Sequence, residues 1–305
     1  MSQTATTPHD ADLLPLSSEA SGPHAGVVTI TLDQPGKPVV VLDETLIRRL
    51  DATLARVPKD ARGLVLASAS ERVFVAGADL KTIQDATDPD LHRYLAYAAS
   101  VFVKLANFPF PTAAAINGAA LGGGLELAMH CDALIGAPSP SGKPYPVGLP
   151  EAGLNICPGW GGTNLFPARI DPAKAIVMTA EGKPTTFDEA KTLGLFEAVA
   201  PTPAELLATA REWVVTRAAQ GRIERDGTPH RWIGRPMVAA KVLAGLDAVR
   251  ESLPKTQAAA AVAAAIDVGL AKGWKAALDT EQRELVRLRR TPAGAASIAA
   301  FFAKK

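Results

Sequence analysis

An α/β core followed by a helical C-terminal part is the fold class that three observations predict. Short β-branched or continuous apolar runs alternate with amphipathic helical stretches through the first two thirds of the chain. Strand signals stop near Ala204, and alanine-rich helical stretches follow at 204–219, 236–251, 256–272 and 276–290. Two glycine-rich segments, 122–124 and 159–162, stand next to apolar runs, where a strand turns into a helix. At 305 residues the chain exceeds the usual single-domain size, so one large domain with an appendage, or two domains, is expected.

In order, residues 1–25 are rich in Ser, Thr, Pro and Ala and are expected to be a disordered leader. Val27 to Leu32 reads as a first strand, and Asp33-Gln34-Pro35-Gly36 as a turn. Asp43 is a candidate N-cap for a helix running through Val57, in which Leu46, Leu50 and Leu54 form one buried stripe. Leu64 to Ala67 is a continuous apolar run, as in a strand buried on both faces. In the segment 74–81 the Ala76-Gly77-Ala78 core permits close backbone approach, and Asp79 can cap the helix after it. Residues 91–106 read as an amphipathic helix ended by the prolines at 109 and 111. Leu134-Ile135 continues as strand, and 138–148 is an irregular, Pro- and Gly-rich loop. Ala173 to Ala180 and Phe187 to Leu193 read as helices, Leu195 to Val199 as an extended segment, and 221–236 as a linker.

Composition narrows the function. Hydrophobic residues make up 48% and charged residues 21%, and the net charge of +1 offers no global attraction to nucleic acid or membrane surfaces. The two cysteines, Cys131 and Cys157, lack metal-ligand or CxxC spacing and are expected to be buried free thiols in a reducing compartment. No apolar run reaches the ~18 residues of a transmembrane helix. The first 25 residues lack a signal-peptide core and carry Asp10, Asp12 and Glu19, so a cytoplasmic location is expected. The histidines (His9, His24, His92, His130 and His230) form no triad or metal-ligand pattern, and core or surface roles are expected for them. Neither glycine run matches a P-loop or the dinucleotide fingerprint, which argues against ATP and NAD.

The stretch 114–132 carries the strongest chemical signal. An apolar run meets Asn117-Gly118, then Gly122-Gly123-Gly124, then a helix-forming LELAM. A helix opening at Gly123 or Gly124 leaves its first N–H groups unpaired, at the positive end of the helix dipole, suited to a developing oxyanion. Glu126 lies in that first turn. The same pattern also suits a tight helix–strand contact carrying an ordinary first-turn Glu. Gly77-Ala78 is a second place where a backbone N–H stands clear of side chains. A second carboxylate, Glu151, also lies beside a glycine-rich turn, and paired carboxylates can divide acid and base work when their environments differ.

The motifs FVAGADLK (74–81), INGAALGGGLELAMHCD (116–132) and LPEAGLNICPGWGGTNLFPARI (149–170) resemble, in order and spacing, the three signatures of the crotonase (enoyl-CoA hydratase/isomerase) superfamily. TFDEAKTLGLFEAVAP (186–201) resembles the segment that follows them, and the likeness covers about residues 26–305. Within the family, VTITLDQPGKP and the Pro-Gly-Trp-Gly-Gly-Thr stretch most resemble the hydratase part of multifunctional fatty-acid oxidation α-subunits. The chain ends where their linked dehydrogenase domain would begin.

The resemblance implies a ClpP-like spiral of ββα units with a helical C-terminal subdomain. Residues 26–220 would form the crotonase core and 221–305 an oligomerisation and lid region. It implies that Ala78 and Gly123 donate the two N–H groups that hold a thioester oxygen, that Glu126 activates water, and that Glu151 exchanges the α-carbon proton. Ala76 would lie in the adenine-binding loop and Lys81 near the CoA phosphates. No metal and no separate cofactor is implied, because CoA is part of the substrate. The implied activity is 2-enoyl-CoA hydration. The alternatives are a Δ3-Δ2 enoyl-CoA isomerase, another crotonase-type reaction, or a CoA-thioester-binding partner of a separate 3-hydroxyacyl-CoA dehydrogenase. A homo-oligomer, trimer or hexamer, is the expected assembly. Val40 stands where many relatives carry Asn, and the 138–148 loop is longer than is usual in the family, with the capacity to shape the acyl pocket.

Overall fold

The computed structural model describes residues 13–303. Its larger sheet runs in the spatial order β1 (Leu16–Ser18), β2 (Val27–Leu32), β3 (Gly63–Ser68), β5 (Thr112–Ile116), β7 (Ala133–Gly136), β10 (Ala198–Val199). Only β1 is antiparallel to its neighbour. The smaller sheet runs β4 (Val73–Val75), β6 (Ala119–Leu121), β8 (Pro146–Gly148), β9 (Thr185–Thr186), with only the β8–β9 pair antiparallel. Three times in succession the chain lays one strand in the large sheet and the next in the small one before entering helix: β3 then β4, β5 then β6, β7 then β8. This is the repeated ββα unit. It brings the ends of β4, β6 and β8 side by side, where the chemistry-bearing segments leave the sheet.

Strand alternation explains how the large sheet is covered. Leu64 and Leu66 of β3 join Ile30 in the main core, whereas Val65 and Ala67 face a second cluster with Ala113, Ala133 and Ile135. That second face is covered by α8 (Leu206–Ala219) through Leu206, Ala210 and Val214, all buried. Burying a Leu or Val side chain contributes about 1.5–3 kcal/mol. The other face carries α1 (Glu44–Leu54) and α3 (Asp88–Asn107). Both caps expected from sequence are made: Asp43 accepts from the Leu46 N–H at 2.7 Å, and Asp79 from the Lys81 N–H at 3.1 Å at the start of α2 (Leu80–Asp85).

The remaining helices are α4 (Gly123–Met129), α5 (Gly162–Leu165), α6 (Pro172–Glu181), α7 (Phe187–Thr192), α9 (Pro236–Val249), α10 (Gln257–Lys272), α11 (Trp274–Leu288) and α12 (Pro292–Ala303). The C-terminal helices fold back on their own core. α10 packs on α11, α5 and α6, α11 on α3 and α5, and α12 on α2 and the turn at 151–154.

Four features depart from the sequence reading. Residues 1–12 of the expected leader lie outside the described residues, but 13–25 are built into the fold. Leu14 is buried with its N–H on Thr53 Oγ1 at 2.8 Å, and β1 forms the sheet edge. The expected linker at 221–236 is anchored, because Arg225 holds Asp132 with two bonds of 2.6 and 2.8 Å and reaches the carbonyls of Phe108 and Phe110. Within the expected loop 138–148, residues 146–148 form β8, and Tyr145 is buried with its hydroxyl donating to the Ala137 carbonyl. The last helix, α12, lies beyond the helical stretches read from sequence. Among the described residues no helix is long and apolar enough to cross a membrane.

Candidate active site

A cavity of about 510 Å³ opens where α2, α4, the 151–154 turn and α11 meet, and it is bordered by Ala76, Ala78, Gly123, Glu126 and Glu151. Five of the six residues expected at the site therefore line one space. The sixth, Lys81, is exposed on α2 and paired with Asp85 at 2.7 Å, outside that lining.

The two backbone donors are exposed by their elements. Leu42 forms a parallel bridge to Ala78, donating to the Gly77 carbonyl and accepting from the Asp79 N–H. A residue bridged in this way through both its neighbours turns its own N–H to the opposite side. The Val40 carbonyl, at the family's Asn position, accepts from the Ala76 N–H at 2.8 Å and extends the same pairing. Gly123 is the first residue of α4, so its N–H has no intrahelical acceptor. No side chain fits at Gly123, where a Cβ would meet Trp160 at 2.3 Å. The turn before it depends on Gly122, which has φ +51° and ψ −127° and lies against Glu151 Oε1. At the other end of α4, the buried Arg169 guanidinium donates to the carbonyls of Met129 and Cys131 at 2.9 and 2.7 Å. That cation suits the negative end of the helix.

Glu126 is 1% exposed. Its Oε1 accepts from the Trp160 N–H at 2.8 Å and the Gly162 N–H at 2.7 Å, while Oε2 accepts from no protein group among the described residues. Glu151, at the start of the 3-10 turn after β8, shields its Oε2 without giving it a partner. Sequence reasoning missed a third buried carboxylate, Glu281 on α11, which is 0% exposed. It accepts from the Gly161 N–H at 2.5 Å, the Thr163 N–H at 2.8 Å and the Thr163 hydroxyl at 2.5 Å. A signal was present: Glu281 lies on the apolar stripe of α11 with Trp274, Ala277, Leu285 and Leu288, where a charged side chain is out of place.

None of the three carboxyls has a cationic partner among the described residues, and together they do not make a metal-binding group. Burial is the largest cause of elevation in each. It pushes Glu151 up to about 8 and Glu281 up to about 7. Glu126 is raised well above the usual carboxylate range, first by burial and then by repulsion from Glu281 and Glu151. Like charges this close cannot all be ionised, and N–H donors favour the anion. Glu126 accepts from two N–H groups and Glu281 from two N–H groups and a hydroxyl, whereas Glu151 has only its own backbone N–H, so the proton is best accommodated on Glu151.

His130 is a core residue, its Nδ1 at 2.9 Å from the Glu126 carbonyl and its ring edge-on to Phe102 and Trp274. Burial lowers it to about 4, so it is neutral. Cys131 and Cys157 are buried and free.

Comparisons with known proteins place this arrangement of repeated ββα units in a family. Residues 22–224 match the family Enoyl-CoA hydratase/isomerase. The fatty acid oxidation complex subunit alpha of Shewanella amazonensis is 33% identical over 293 residues, covering 91% of this chain and 40% of that protein. Its counterpart in Vibrio cholerae is 30% identical, with 90% and 39% covered. The chain thus spans about 40% of the length of these relatives. An enoyl-CoA hydratase from Bacillus anthracis superposes with a TM-score of 0.59 at 28% identity, covering 95% of this chain and 96% of that one. One from Bacillus halodurans, at 21% identity, shares the fold with a TM-score of 0.65, covering 93% and 99%. The chain belongs to the crotonase (enoyl-CoA hydratase/isomerase) family.

Proposed function

We propose that this protein adds water across the double bond of a 2-enoyl-CoA thioester to give a 3-hydroxyacyl-CoA. The observation that carries this reading is the convergence of two buried carboxyls, Glu126 and Glu151, with the Ala78 and Gly123 N–H groups on one cavity. The thioester oxygen accepts from those two N–H groups. Water at Glu126 Oε2 attacks the β carbon and gives its proton to that carboxylate, while the double-bond electrons move toward the thioester oxygen. Glu151 then delivers its proton to the α carbon. Oxygen charge builds where two fixed donors await it, and each such donor is worth about 3 kcal/mol in the transition state. Both carboxyls are reset by proton exchange once product leaves.

The test is loss of the enoyl-thioester ultraviolet absorbance with short-, medium- and long-chain 2-enoyl-CoAs. Absence of turnover on all three rejects hydration. A Δ3-Δ2 isomerase needs only one proton carrier, a role Glu151 Oε2 suits because no group among the described residues bonds to it. Turnover of a 3-enoyl-CoA without hydration of the 2-enoyl isomer would establish that reading instead. The likeness to fatty acid oxidation complex subunits supports a place in fatty-acid degradation, and our reading adds a cytoplasmic location and a 3-hydroxyacyl-CoA dehydrogenase to take the product. A trimer-based assembly is the oligomer we propose. Sedimentation as a monomer at micromolar concentration would reject it.

A further inference from the structure

The segment joining Gly159 to Thr163 divides its amides between two carboxylates. Trp160 and Gly162 donate to Glu126 Oε1, at 2.8 and 2.7 Å. The residues between and after them, Gly161 and Thr163, donate to Glu281, at 2.5 and 2.8 Å. The peptide strand therefore runs between two buried acids and is held from both sides. The grip from the Glu281 side is reinforced by the Thr163 hydroxyl, and the neighbouring Gln282 donates to the Gly159 carbonyl at 3.3 Å. Gly161 adopts φ +100°, a conformation that favours glycine, and a Cβ there would meet Trp274 of α11 at 2.3 Å.

We propose that Glu281 is a positioning residue for the water-activating Glu126, fixing the segment so that the Trp160 and Gly162 N–H groups converge on Oε1 and Oε2 is left facing the cavity. The inference rests on the hydration reading for the task it assigns Glu126. Burying an unpaired carboxylate 0% exposed on a helix stripe that is otherwise apolar is costly, and an apolar residue there would leave two amides and a hydroxyl without acceptors. Glu281 also acts through its charge. The titratable groups around the pair are Glu126 on α4, Glu151 in the turn after β8, Cys157 on the connecting segment and Glu284 on α11 itself. His130, against Trp274, is neutral. α5 presents the uncharged Thr163 and Asn164, and no charged side chain of α3 or α10 bonds to Glu281. Repulsion from Glu281 raises Glu126, so removing that charge makes Glu126 easier to deprotonate.

The experiment compares Glu281→Gln, Thr163→Val and Thr163→Ser with the parent, using a 2-enoyl-CoA across pH. Misplacing a reacting group by a fraction of an ångström lowers rates ~10- to 100-fold. Glu281→Gln is expected to lose that much in kcat with KM changed by less than ~3-fold, and to move the acid limb of kcat/KM to lower pH. Thr163→Val loses part of kcat, and Thr163→Ser restores it. An acid limb that stays in place, or a loss that only tracks the folded fraction, overturns the proposal. Infrared difference spectra give a readout independent of turnover, since the protonated-carboxyl band of Glu126 is identified by its loss in Glu126→Gln. In Glu281→Gln that band must titrate at lower pH even if the parent hydrates no enoyl-CoA. A band that does not move refutes the positioning role, whereas an inactive parent with a moved band refutes only the hydration reading.

Discussion

Replacing Gly122 by Ala tests whether the turn before α4 is what sets Glu151 in place. Two costs follow from the structure. The backbone sits at φ +51° and ψ −127°, and holding a residue with a Cβ in such a region costs about 1–3 kcal/mol. The new Cβ would also meet Glu151 Oε1 at 2.6 Å, about 0.8 Å inside ordinary contact, with Cδ at 3.3 Å. The carboxyl must retreat by most of that distance, because the obstruction is fixed backbone. A displacement approaching 1 Å at a reacting group lowers the rate ~100-fold. The assay is hydration of a short 2-enoyl-CoA beside a thermal melt, each measured alone and combined with Glu151→Gln. If the substitution acts through Glu151, its kinetic cost disappears in the Glu151→Gln background while its cost in stability persists. A Gly122→Ala enzyme within ~3-fold of the parent in kcat, or one whose penalty is undiminished without Glu151, would refute the reasoning.

Other outcomes follow from the same structure. Glu126→Gln and Glu151→Gln should each lower kcat at least ~100-fold with the fold intact by circular dichroism, and unchanged rates would make the pair structural. Because Glu151 binds a proton in the folded state up to about pH 8 but releases it near 4.5 when unfolded, its contribution to stability is full below 4.5 and is lost as pH rises to about 8. Melting temperatures of Glu151→Gln should therefore gain on the parent across that window and level off above it. A constant difference from pH 5 to 9 contradicts the assignment. Arg225→Ala leaves the buried Asp132 without its cation and should cost ~3–5 kcal/mol, a fall of roughly 10 °C on melting. Asp132→Asn in the same chain should recover part of that loss.

The sequence made the fold legible where local physics decides it. The β-branched run at 27–32, the apolar run at 64–67 and the caps Asp43 and Asp79 depend on neighbours a few residues away, and each stands as read. Glu126 and Glu151 were legible because glycine-rich turns flag them. Glu281 was only half legible: its place on the apolar stripe of α11 hinted at burial, but its partners are about 120 residues upstream and nothing near LDTEQRELV points to them. Arg225 was hidden for the same reason, since Asp132 and the Phe108 and Phe110 carbonyls, 93 to 117 residues away, make its segment an anchor and not a linker. β1 is three exposed residues whose only reason to be a strand is the edge of β2. Such pairings carry no period and no local composition that would identify the partner.

The grip of α11 on the Gly159–Thr163 segment has a consequence for how the protein comes into being. Synthesis runs from the N-terminus, and domains organise as they emerge. The two sheets, α4 and the two cavity carboxyls, Glu126 and Glu151, are complete well before residue 274 leaves the ribosome, yet the amides that bond Glu126 acquire their second anchor only when α11 arrives. Closing contacts across so much chain is slow. A nascent chain that lacks α11 would hold Glu126 and Glu151 in an unfinished cradle, which is completed only when a segment about 120 residues further along has been made.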